Sequence, residues 1–314
     1  MYEVKKAPIG RFEAYRLTNT ATGEYLEVLS GFGAGINDLV VENGKGDLVS
    51  IIDGYRSEEE VMRTHHSAFK GSKLSPFPNR LTAGQYSFEG EDYQMIVNEI
   101  DRNNNLHALL HCRPFEVVDT VDGSDNCQLV LRYQYLGTDQ GYPFAYAMTV
   151  TISFGKEGTR FDTSIENIGQ GSMPIGDGWH PYFQFDNGVG QLTLEMGAAK
   201  RIFSLAGNAV SDTHGFESGQ ELVDMALDDC FQVTDTNVPF VVSMTDPSNE
   251  MKVQLFQEKE YGYCQIYSPD SRKTLAVEPV TCPPNAFNTG ESLVVLKPNE
   301  KWELGFGIKV LKTQ

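Results

Sequence analysis

The chain has 314 residues, 40% of them hydrophobic and 22% charged, and a formal net charge of −18. That length and balance describe a globular protein able to bury a sizeable core. The charge sets the average field against DNA, anionic membrane surfaces and strongly anionic substrates, and leaves neutral small molecules such as sugars unaffected.

The first residues carry two lysines with no apolar run behind them, and no window approaches the eighteen or more apolar residues of a membrane span. The five cysteines, at 112, 127, 230, 264 and 282, have no C-x-x-C spacing and suggest neither a disulfide framework nor a zinc ribbon. Reduced thiols and a cytoplasmic location are therefore expected, with no nucleic-acid or membrane partner.

Short alternating segments begin at once, with GEYLEVLSGF (23–32) and DLVSIID (47–53). SEEEVMRTHHSAFK (57–70) is the one helical pattern, with Ser57 as N-cap and Glu60 three residues on. Further strands are expected at 128–135, 145–154, 159–168, 252–257, 263–268, 292–297 and 301–311. The connectors EGED (89–92), VDGSDN (121–126) and GKEGT (155–159) supply the Gly and Asx residues of hairpin turns. Many strands at short spacing predict an all-β fold, an antiparallel sandwich or barrel, and no linker divides residues 1–314.

Three catalytic or metal patterns fail. Ser67-Ala-Phe-Lys70 with Ser124-Asp125-Asn126 and Lys273-Thr274 imitates a β-lactamase set, but Leu275 stands where Gly is needed. A calcium loop starting at Asp101 would require Gly and Glu where the chain has Leu106 and Cys112. Among His65, His66, His107 and His111, the His-x-x-x-His pair lies in LHALLHCRPF, which lacks the flanking helix, and no third zinc ligand has convincing spacing.

Four segments remain in which polar residues interrupt or end strand-like sequence: SPFPNRLTAG (75–84), NNNLHALLH (103–111), GDGWHPYF (176–183) and TLAVEPVTCPPNAFN (274–288). Glu278 follows an apolar run and precedes Pro279, where pairing should stop, so a strand terminus is expected there. Partly buried imidazole and carboxyl groups can shift toward neutrality, which suits acid–base work. Each group taken alone is more often a structural residue than a catalyst.

Together, in this order, PFPNRL, LH-A-L, GWHPYF and VEP-x-T-x-x-P-x-AFN resemble the aldose 1-epimerase (galactose mutarotase) family. The resemblance implies a large antiparallel β-sandwich, the mutarotase supersandwich, with an open carbohydrate cleft. It also implies an isomerase that interconverts the anomers of a free aldose such as galactose or glucose, without cofactor or metal. Carried over, Glu278 is the general base, His180 the general acid, and His107 assists at the ring oxygen or holds the sugar. Arg80 and Asp228, the latter from LDDCF (227–231), bind sugar hydroxyls, with Asp229 the weaker choice. Acid and base are expected on opposite sides of the sugar.

Two departures stand out. Ala108 replaces the family's usual Gly, and its methyl is expected to narrow the cleft or shift the loop. Asp177 adds a charge ahead of His180: if close, it raises the His180 pKa; otherwise it is a turn residue of GDG. A non-catalytic sugar sensor, a glycoside hydrolase and a hexose-phosphate mutarotase remain as other readings. The last would need a basic cluster, and Arg80 is the only basic residue within the four segments.

Overall fold

A computed structural model describes residues 1–205, 216 and 219–313. Antiparallel strands dominate it. The first five, Tyr2–Lys6, Tyr15–Asn19, Tyr25–Leu29, Gly35–Glu42 and Leu48–Ser50, form a meander in chain order. A nine-stranded sheet runs in the spatial order Glu116–Val121, Asn126–Tyr135, Tyr146–Gly155, Gly158–Asn167, Lys301–Lys312, Met251–Gln257, Phe240–Asp246, Thr193–Met196, Gln220–Glu221. A seven-stranded sheet faces it, ordered Ala199–Ser204, Asp228–Val233, Tyr263–Tyr267, Thr274–Val280, Gly178–Trp179, Lys73–Leu74, with Tyr182–Gln184 also paired to Thr274–Val280.

Local sequence explains these elements. Gly158–Asn167 buries every second residue, as a half-buried strand requires. It pairs with Tyr146–Gly155 across the two-residue turn Lys156-Glu157. In the EGED hairpin, Glu89 and Gly90 take φ values of 51° and 88°, as a tight turn of this kind demands. The helix Glu58–Ala68 is capped as expected: Ser57 Oγ accepts the Glu60 N–H at 3.1 Å, and Glu60 accepts back from the Arg56 N–H. It is not the only helix, since Ala286–Thr289 forms a single turn inside the AFN motif.

The two large sheets share one apolar core. Phe161 and Phe306 of the nine-stranded sheet stack at 4.7 Å, and both meet Trp179 of the seven-stranded sheet, at 5.6 and 5.7 Å. The opposite face of the seven-stranded sheet carries the site.

One expectation about that face fails. Glu278 does not end its strand: Thr274–Val280 runs through Pro279, which stands opposite Cys264, to Val280 opposite Tyr263. The neighbouring odd-numbered N–H groups, Val277 and Thr281, donate to Pro181 and Asp177 on the other side. By alternation the missing N–H of Pro279 falls on that edge, where Gly178–Trp179 and Tyr182–Gln184 are interrupted by His180-Pro181. The proline sits where the ladder has a gap, so no hydrogen bond is lost.

Candidate active site

Strand register brings the site together. Asp228 stands opposite Tyr267, Gln265 opposite Glu278, and Tyr267 opposite Ala276, which in turn faces Tyr182. Residues directly opposite share a sheet face, so Asp228, Gln265, Tyr267, Glu278 and Tyr182 point the same way. They line a cleft of about 250 Å³ together with Phe69, Asn79, Arg80, Glu99, Arg102, His107 and His180. All five residues singled out in the sequence, Glu278, His180, His107, Arg80 and Asp228, reach this one cleft. Asp229 alternates to the other face, fully buried, with Arg201 Nε at 3.7 Å.

His180 Nε2 lies 3.4 Å from Glu278 Oε1, and both side chains are almost wholly buried. Tyr182 stacks on the His180 ring at 4.7 Å, and His107 meets it edge-on at 5.2 Å. The two heads therefore stand side by side rather than across a sugar ring. That suits two oxygens on one carbon, the C1 hydroxyl and the ring oxygen, better than opposite ring faces.

Burial governs the protonation of the pair. It pulls His180 down to about 4 and pushes the Glu278 carboxyl well above the usual carboxylate range, with nearby Asp228 adding and Arg80 opposing. His107 is likewise held neutral by burial, helped by His180, His111 and Arg80. His107 Nδ1 accepts the Asn79 backbone N–H at 3.1 Å, so the neutral ring carries its proton on Nε2.

Arg80 is clamped by Glu99, which accepts from its Nε at 2.9 Å and its Nη2 at 2.9 Å, and from Asn104 at 2.9 Å. Arg102 also lines the cleft and reaches the same carboxylate at 3.5 Å. Arg80 is thus not the only cationic residue at the cleft, but Glu99 contacts both guanidinium groups. On the far wall Gln265 Nε2 donates to Asp228 at 2.8 Å, and Asn79 donates to Gln265 at 3.3 Å. Glu99, Arg102 and Gln265 carry no motif; only a polar residue at an inward strand position, as in YCQIYS, hinted at Gln265.

Both departures resolve differently from expectation. Ala108 has φ of 53°, in the left-handed region that favours the family's Gly, and its buried methyl belongs to the apolar core. It does not line the cleft. Asp177 is neither a turn residue nor a neighbour of the His180 ring: it turns into the core and pairs with Lys73 at 2.5 Å. Accordingly His180 is pulled down, not raised.

The four histidines singled out together make separate packing contacts. His65 bonds to the Val61 carbonyl and packs on Phe32, and His111 packs edge-on to Phe69. Among the described residues no group of three or more His, Cys, Asp or Glu could hold a metal ion, and no helix is long and apolar enough to cross a membrane.

Comparison with known proteins agrees with this fold. The Escherichia coli K12 protein YihR, itself uncharacterized, is 27% identical over 300 residues, covering 92% of this chain and 91% of its own. A galactose mutarotase-like protein of Clostridium acetobutylicum superposes with a TM-score of 0.85 at 17% identity, over 99% of both chains. The galactose 1-epimerase of Lactobacillus acidophilus does so at 0.75 and 15%, over 100% of both. The family model for aldose 1-epimerase matches residues 14–309, and the chain belongs to that family.

Proposed function

We propose that the protein is a mutarotase that interconverts the α and β anomers of a free aldohexose, with Glu278 as base and His180 as acid. The observation that carries this reading is the 3.4 Å His180–Glu278 contact inside a cleft otherwise lined by sugar-binding chemistry. Glu278 takes the C1 hydroxyl proton while His180 protonates the ring oxygen. The C1–ring-oxygen bond breaks, C1 becomes an aldehyde, and rotation about C1–C2 presents its other face. On closure the two residues reverse roles.

Arg80, fixed by Glu99, and Asp228, fixed by Gln265, hold sugar hydroxyls. His107 offers its Nε2 proton toward the ring oxygen. The chain's own acid and base suffice, so no cofactor is invoked. Charge balance favours neutral sugars over hexose phosphates, because Glu99 answers both Arg80 and Arg102. We read residues 1–314 as one catalytic unit, since one apolar cluster runs from Tyr2 to Ile308. We read its setting as the cytoplasm, since all five cysteines are free thiols.

Polarimetry on freshly dissolved α-galactose or α-glucose tests the reading. A positioned proton-transfer group contributes about 10²–10⁴ in rate. Glu278→Gln and His180→Asn are each expected to lower kcat by at least that lower bound without unfolding the protein. Wild-type protein no faster than buffer overturns the proposal. Sugar binding by calorimetry without turnover would then indicate a sensor, and release from a chromogenic glycoside a hydrolase.

A further inference from the structure

His180 directly follows a very short strand. Gly178–Trp179 is a two-residue strand, paired at Gly178 with Leu74 and Val280 and at Trp179 with Lys73. Successive strand residues face opposite ways, so a slip of one residue would send His180 into the core and Asp177 toward the cleft. The side chains on the core face can add to what this short ladder specifies.

The ion pair beneath the strand has the required directionality. Lys73 Nζ and Asp177 Oδ2 are 2.5 Å apart, and both side chains are fully buried. Lys73 also donates to Thr163 at 3.2 Å and lies 4.6 Å above the Trp179 ring. Tyr261 donates to the same Asp177 oxygen at 3.0 Å. Thr163 belongs to the nine-stranded sheet, so the pair ties the two sheets together directly below His180. Its backbone neighbours bracket the histidine: Gly71 N–H donates to His180 O, His180 N–H to Ser72 O, and Thr281 N–H to Asp177 O.

Stability does not account for this pair. Buried ion pairs commonly contribute less than apolar residues of the same volume, and Asp177 Oδ1 has no hydrogen-bond partner among the described residues. In some proteins a buried polar or ionic group specifies one alignment of the chain. In any slipped register Asp177 would leave Lys73 charged and alone in the core.

We propose that Lys73 and Asp177 are positioning residues, whose ion pair fixes the register of the Gly178–Trp179 strand and so sets His180 against Glu278. The kinetic part of this inference rests on the mutarotase reading; the structural part does not. The decisive variant is the double substitution Lys73→Met with Asp177→Leu, which removes both charges and leaves neither buried alone.

Its melting temperature is expected to equal or exceed that of the wild type. KM should stay within about twofold, because Arg80 and Asp228 lie on other elements, while kcat falls at least tenfold. The His180 ring resonances in nitrogen-15 spectra are expected to shift or split. A folded double variant with wild-type kcat and unchanged His180 resonances overturns the proposal. If that variant does not fold, Thr163→Val with Tyr261→Phe removes only the neutral bonds to the pair. There a several-fold lower kcat at unchanged KM is expected, and wild-type kcat overturns the claim. Wild-type protein without mutarotase activity would defeat the functional reading, and the His180 resonances would still decide the positioning role.

Discussion

A carboxyl and an imidazole that share two exchangeable protons hold them either as an ion pair or as a neutral pair. Both forms have the same composition, and at Glu278 and His180 burial favours the neutral one. In the proposed reaction the neutral pair is the state reached when the ring has opened. The site thus favours the protonation state of the open-chain intermediate, and hydroxyl contacts to a bound sugar must sustain the charged state before it. Activity requires two protons on the pair. It is lost at low pH when His180 gains a further proton, near its depressed value of about 4, and at high pH when Glu278 gives up its own. The expected kcat/KM profile is a bell whose acid limb lies near pH 4 and whose basic limb lies above the ordinary carboxylate range, both limbs belonging to the coupled pair. Polarimetric rates corrected for buffer catalysis would show it. An acid limb at the ordinary histidine value, near 6.5, would contradict the depressed His180.

Among elements, the helix Glu58–Ala68 is positioned to separate scaffold from chemistry. It delivers Ser67 and Phe69 to the cleft, yet its N-terminus, capped by Ser57, touches none of the reacting groups. Ser57→Ala is expected to cost about 1 kcal/mol of stability by losing the cap, with kcat unchanged. Thermal melting and polarimetry on one preparation would check both halves, and a matched fall in kcat would show that the helix itself sets the cleft. This helix was legible because its cap and its periodicity are local. The strands named from the sequence were legible for the same reason, whereas others such as Gly35–Glu42 and Phe240–Asp246 were not singled out; the five cleft residues were legible because they sit in family motifs. Glu99 and Gln265 were not, because their place at the cleft depends on pairings with residues 19 and 37 positions away, and Arg102 joins the cleft beside Glu99. Asp177 misled for a related reason: its partner Lys73 lies 104 residues earlier, and no local pattern announces a buried lysine. Ala108 misled because what sets this position apart is its backbone angle, φ of 53°, and not space in the cleft.

For the whole molecule, the same buried groups couple the site to folding. His107, His111 and His180 are held below their ordinary value by burial, so the unfolded chain takes up protons that the native state refuses as pH falls from 6.5. That uptake alone would erode stability toward acid. Glu278 acts in the opposite sense. Its folded value is raised, so above the ordinary carboxylate value the native state holds a proton that the unfolded chain has lost. Its contribution is greatest in acid and is lost as pH rises toward the shifted value. The carboxyl therefore offsets one histidine's worth of proton linkage from the ordinary carboxylate value up to its own shifted value. Glu278→Gln keeps the shape and removes the titration. Relative to wild type, its unfolding free energy should fall more steeply toward acid in that interval, by about 1.4 kcal/mol per pH unit for one proton. Urea unfolding of both proteins at a series of pH values measures the difference directly. Parallel stability curves would mean that Glu278 titrates at its ordinary value in the folded protein, and the protonation balance assigned to the acid–base pair would go with it.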